Sequence, residues 1–82
     1  MRFMTKHQAG QKRVSSIADL GEAIRRRRRT LGLTQEDIAA QVGIARITVS
    51  AIENGKDTAH VGLVFQICRD LGLHLMIEEP RE

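Results

Sequence analysis

With 82 residues, 41% of them hydrophobic, the chain has apolar material for one compact domain and not for two. Its aromatics are Phe3 and Phe65 alone, which argues against single-strand readers that stack bases on aromatic platforms and leaves duplex groove reading open. The net charge of +3 is unevenly spread: residues 1–56 hold eleven Lys or Arg against five Asp or Glu, and residues 57–82 hold two against five. A basic end of this kind suits a polyanion, or is simply a solvated face.

The single cysteine, Cys68, excludes an internal disulfide and implies an intracellular, cytoplasmic chain. No stretch is long and apolar enough for a membrane span, and no apolar run resembles a signal peptide.

Residues 1–15 show no sustained period and carry Arg2, Lys6, Lys12 and Arg13, so they read as a flexible basic arm. A first helix is expected from Ser16, which with Asp19 fits a capping box; Ile17, Leu20, Ile24, Arg28 and Leu31 follow helical spacing, and Gly32 stops it. A second helix follows at once, with Thr34 and Asp37 as another box, Ile38, Ala39 and Val42 inward, and Gly43 as its turn. The third spans about 45–54, with Val49 and Ile52 inward and Asn54-Gly55 closing it. Thr58 is positioned to cap a fourth helix over about 59–71, with Val61, Val64, Phe65, Ile67, Cys68 and Leu71 apolar and Gly72 as its stop. Residues 73–77 alternate as a short strand before Glu78-Glu79-Pro80 breaks it. The expected fold is an all-α bundle of four or five helices with a short C-terminal strand. It divides into the arm 1–15, a domain 16–72, and a strand and tail 73–82.

The informative stretch runs from Gln35 to Ile52. Two short helices are joined by a tight turn, with Ala39 small where the helices approach and Gly43 in the turn. Arg46, Ile47, Thr48, Ser50 and Ala51 remain for the outer face of the second, a slim surface able to enter a major groove. Arg46 can donate bidentately to guanine or bind a phosphate, Ile47 can pack on a thymine methyl, and Thr48 and Ser50 are short donors.

The run LGLTQEDIAAQVGIARITVSAIENGK resembles the helix-turn-helix of the Cro/C1-type (XRE) repressor family, with similarity over about residues 17–73. The resemblance implies a lambda-repressor-like bundle whose second motif helix reads bases. It implies that Gln35 supports a phosphate contact, that Arg46, Ile47, Thr48 and Ser50 form the reading face, and that Asn54 and Lys56 meet the backbone.

Arg25 to Arg29 cover every face of a helix, so they cannot share one role. Arg28 falls on the apolar stripe, Glu53 lies one turn after Val49, and the matching family positions hold an Arg–Glu pair, so these two are expected to form a structural ion pair. Glu22 can pair with Arg26 at i,i+4, and the other arginines supply a general positive field. His7, His60, His74 and Cys68 lack metal-ligand spacing, and no nucleophile–base arrangement or phosphate loop is visible, so no metal, cofactor or enzymatic activity is expected.

The stretch VGLVFQICRDLGLHLMIEE resembles the corresponding part of HipB-like antitoxin-repressors. That resemblance implies a homodimer built by pairing of the C-terminal strand with its twin, a palindromic DNA operator, and a HipA-type kinase toxin as partner. A lone strand needs such a twin, and Leu73, Leu75 and Ile77 are the expected dimerisation residues. The alternatives are a stand-alone or phage-type repressor of the same fold, and an interaction module that neutralises a partner and touches DNA weakly.

Overall fold

Local chemistry sets where the helices begin. In the computed structural model, which describes residues 10–58 and 60–81, the architecture is all-α: α1 (Ile17–Thr30), α2 (Gln35–Val42), α3 (Arg46–Glu53) and α4 (Val61–Asp70). Ser16 Oγ accepts from the Asp19 N–H at 3.1 Å. The Asp19 carboxylate does not close the expected box on Ser16; it accepts from the backbone N–H and the hydroxyl of Ser15, one residue earlier, each at 3.1 Å. These hydrogen bonds, the Ser15 N–H foremost, hold the Asp19 carboxyl below its ordinary value. At α2 the box is reciprocal: the Asp37 N–H donates to Thr34 Oγ1 at 3.0 Å and the Thr34 N–H to Asp37 Oδ2 at 2.8 Å.

The fourth helix starts later than expected. Thr58 does not cap it; the cap position is His60, whose N–H donates to Asp57 Oδ1 at 3.1 Å while its ring Nδ1 lies 2.7 Å from Asp57 Oδ2. Asp57 thus holds the cap residue itself, and the His60 side chain makes no cap hydrogen bond to the helix. Residue 59, the expected start, lies outside the described residues, as does residue 82.

Each of these helices ends with the residue after a glycine bonding five residues back. The N–H groups of Gly32 and Leu33 bond back to Arg29 and Arg28, Ile44 to Ala39, Gly55 and Lys56 to Ile52 and Ala51, and Gly72 and Leu73 to Arg69 and Cys68. In this cap the residue after the glycine is normally apolar and folds onto the helix. Leu33, Ile44 and Leu73 do so and pack against the core, whereas the equivalent residue after α3 is Lys56, which is exposed. Gly43, with φ +83°, turns the chain from α2 towards α3 in a conformation that side chains rarely adopt.

The core is Ile24, Ile38, Ala39, Val49, Ile52, Ile67, Cys68 and Leu71. It is closed from below by α1 crossing α3 so tightly that a Cβ on Gly21 would collide with the carbonyl oxygens of Ile52 and Glu53. Ile17 and Leu31, expected on the inward stripe, sit at the ends of α1 and remain exposed.

The expected strand is absent: residues 73–81 form neither helix nor strand in the single chain. Leu73 packs on the core, but Leu75, Met76 and Ile77 stay exposed, Ile77 at 89%. A strand exists by pairing, and the described residues supply no second strand to pair with. Of the basic arm, residues 1–9 lie outside the described residues, and residues 10–15 are exposed, with Arg13 lying 3.7 Å from the tail carboxylate of Glu78. No helix among the described residues is long and apolar enough to cross a membrane.

Candidate nucleic-acid interface

Burying Val49 and Ile52 against the core turns the opposite face of α3 outward. Ile47 is 72% exposed on that face, a large apolar side chain held in water, and Arg46 beside it is exposed too. Thr48 and Ser50 are half-buried on its flanks. Gln35 opens α2 immediately after its cap, and Asn54 and Lys56, both exposed, follow the end of α3. Of the seven residues singled out in the sequence, hydrogen bonds join Arg46 to Gln35 and Asn54 to Ser50.

Gln35, Arg46, Ser50 and Asn54 are linked through Glu53, whose side chain is fully buried. Arg28 donates to both of its carboxylate oxygens, Nε to Oε2 at 2.6 Å and Nη2 to Oε1 at 3.0 Å, and its Nη1 donates to the Leu33 carbonyl at 2.8 Å. This forked geometry is the strongest form of such a pair. Gln35 Nε2 adds a third bond to Glu53 Oε1 at 3.0 Å. Burial pushes the Glu53 carboxyl up, but the hydrogen bonds from Arg28 and Gln35 and the charges of Arg28 and Arg25 outweigh it and hold the group below its ordinary value. The same hydrogen bond to Glu53 raises Arg28 against its desolvation. Among the described residues no buried side-chain polar atom lacks a partner, so the charged centre is fully satisfied.

From this centre the network reaches the surface twice. On one side Gln35, fixed by Glu53 through its amide nitrogen, accepts from Arg46 Nη1 at 3.1 Å through its oxygen. Arg46 also lies 4.0 Å from Glu36, an exposed pair worth little, so its guanidinium is easily exchanged onto another anion. On the other side Arg25 Nη2 donates to Asn54 Oδ1 at 2.7 Å, and Asn54 Nδ2 donates to Ser50 Oγ at 3.3 Å.

Arg25 is the residue that sequence reasoning missed. Glu22 pairs with it at 3.5 Å and not with Arg26, because Arg25 is pulled to that flank by Glu53 at 3.7 Å and by Asn54. Its spacing of three from Arg28 was the available signal, since that places it one turn earlier on the same side. Arg27 also departs from the general positive field: its Nε donates to the Leu71 carbonyl at 2.7 Å and caps the end of α4. Cys68 is buried, which raises its thiol. Among the described residues no group of His, Cys, Asp or Glu is arranged to hold a metal ion.

The sequence matches the helix-turn-helix family HTH_3 over residues 24–76, more than half of the chain. It is 34% identical to the uncharacterized HTH-type transcriptional regulator y4mF of Sinorhizobium fredii, over 87% of this chain and 93% of that protein. It is 45% identical to an uncharacterized HTH-type transcriptional regulator of Methanothermobacter thermautotrophicus, over 60% of this chain and 71% of that one. Among solved structures it is similar to a HipB variant in complex with an O2 20mer, with TM-score 0.76 and 26% identity over 88% of this chain and all of that one. It is similar to the same extent to a chain of a HipA-HipB-O2-O3 complex, with TM-score 0.75 and 27% identity over 87% of this chain and all of that one. A tight α2–α3 turn, an exposed second helix and these likenesses agree: the chain belongs to the helix-turn-helix (XRE-type) family of transcriptional regulators.

Proposed function

We propose that this regulator is a sequence-specific repressor that reads duplex DNA as a homodimer, and that it serves as antitoxin and autorepressor to a HipA-type kinase. The observation that carries the DNA reading is the exposed face of α3, where Ile47 stands 72% exposed beside Arg46. An exposed isoleucine is tolerated in water, and on this face it is placed to gain by packing on a thymine methyl in the major groove. Arg46 donates to guanine O6 and N7, Thr48 and Ser50 to base edges or phosphate, and Gln35, Asn54 and Lys56 fix the motif on the backbone.

Dimerisation is assigned to residues 73–77. The exposed Leu75 and Ile77, and a backbone that beyond the Leu73 N–H is not taken up in helix or strand, support a two-fold strand pairing in which Leu73, Leu75 and Ile77 close against the partner. Val61 and Phe65 of α4 are further exposed apolar side chains available to an interface. A dimer holds two reading helices about 34 Å apart, the spacing of palindromic half-sites.

The antitoxin role is supported by the likeness to HipB over 88% of this chain, and to a chain of a HipA-HipB-O2-O3 complex over 87% of it. A stand-alone repressor is the second reading, favoured by relatives that are named as transcriptional regulators only. Fluorescence anisotropy on a duplex from upstream of its own gene, against a scrambled duplex, tests the function. The expected preference is at least about a thousandfold; equal binding refutes specific repression. Co-purification with a kinase encoded beside it separates the two readings.

A further inference from the structure

Asn54 is useful to a phosphate at only one of its two ends. Its amide nitrogen donates, whereas its carbonyl oxygen would meet the phosphate oxygens lone pair to lone pair. Nothing in α3 itself decides between the two orientations, because the Ser50 hydroxyl both donates and accepts and tolerates either end at 3.3 Å. Arg25 decides it. A guanidinium is a donor only, so the atom it holds at 2.7 Å must be Asn54 Oδ1, and the amide nitrogen is turned towards Ser50 and the outer face. Arg25 is itself held between two carboxylates, Glu22 at 3.5 Å and Glu53 at 3.7 Å. Its charge is answered within the protein, and its side chain is only 29% exposed.

From this we infer that Arg25 is a positioning residue for DNA binding: it fixes the Asn54 amide with its donor end towards the phosphate backbone and does not contact phosphate itself. The inference rests on the proposed duplex reading and on Asn54 as a backbone contact. One chain of bonds thus ties the buried Glu53 to both ends of the interface, through Gln35 to Arg46 and through Arg25 to Asn54.

The test is a double-mutant cycle in duplex affinity, using the upstream duplex and the chains Arg25→Met, Asn54→Ala and the double variant, over a series of salt concentrations. Each single change is expected to weaken binding about fivefold, the worth of one hydrogen bond. The double variant is expected to bind no more weakly than Asn54→Ala. The salt slope of Arg25→Met is expected to match the parent, whereas loss of a direct phosphate contact lowers it by about 0.9. Multiplying losses in the double variant, or a lowered slope, overturns the positioning role while leaving the duplex reading intact. An Asn54→Ala chain that binds as tightly as the parent overturns the backbone contact, and with it this inference. A parent chain that does not bind duplex fails the functional reading itself. Should Arg25→Met lose helix content, the Asn54 side-chain amide resonances in the parent supply an independent readout: a slowed, distinct N–H pair supports the clamp, and a solvent-averaged pair overturns it.

Discussion

Replacing Arg28 by alanine removes three hydrogen bonds at once, two to the buried Glu53 and one to the Leu33 carbonyl that closes α1. Taking one partner from a buried ion pair costs about 3–5 kcal/mol, mostly because the remaining charge is left in a site that water cannot reach. Here Glu53 keeps Gln35 at 3.0 Å and Arg25 at 3.7 Å, so the lower end, about 3 kcal/mol, applies. At about 4–8 °C per kcal/mol for a domain of this size, the melting temperature falls by about 12–24 °C. Arg26, exposed on the same helix, is the control, and Arg26→Ala is expected to stay within about 0.5 kcal/mol of the parent. Glu53→Gln in the Arg28→Ala background is expected to recover part of the loss, because it removes the stranded charge. Urea unfolding followed by circular dichroism measures the parent, Arg28→Ala, Arg26→Ala, Glu53→Gln and the double variant. Equal midpoints for Arg28→Ala and Arg26→Ala would refute the reasoning, as would a double variant that is less stable by the sum of the two single losses.

Arg46→Ala is expected to lose about 1–3 kcal/mol on the specific duplex and to relax one base position, measured by binding across single-base variants. Lys56→Ala is expected to weaken specific and random duplexes alike and to lower the salt slope by about one, read from affinities at several salt concentrations. Because the Glu53 carboxyl is held below its ordinary value of 4.5, the unfolded chain binds its proton first as the solution is acidified. Its contribution to stability is therefore complete above that value and is lost as pH falls through the lower folded value. Unfolding midpoints against pH are expected to show this loss in the parent and a shallower one in Glu53→Gln. Chains ending at residue 72 are expected to sediment as monomers, and a truncated dimer at micromolar concentration would move the interface to α4.

Much of the fold is written in short-range chemistry, and that part was legible. The Thr34–Asp37 box and the stops at Gly32, Gly43, Gly55 and Gly72 depend on residues within one turn of each other. The inward Arg28 could be found because an arginine on an apolar stripe demands an anion. What escaped depends on tertiary approach. Gly21 carries no local turn or cap, and its role exists only because α3 carbonyls lie against it. Arg25 was hidden in a run of five identical residues, where sequence spacing separates the faces but does not say which face meets Asn54. Thr58 is passed over because Asp57 beside it holds His60, which moves the cap position two residues along the chain. The strand expected over 73–77 needs a pairing partner that is absent among the described residues, so Leu75, Met76 and Ile77 stay exposed.

The central claim is that two copies of α3 read two half-sites of one duplex. Hydroxyl-radical footprinting of the region upstream of the gene tests it most directly, because it reports both the contact and its geometry. The expected pattern is two protected patches related by a two-fold axis, with centres about one helical turn, or 34 Å, apart, both disappearing for chains that end at residue 72. A single patch, continuous protection without sequence preference, or a pattern unchanged by the truncation would contradict it.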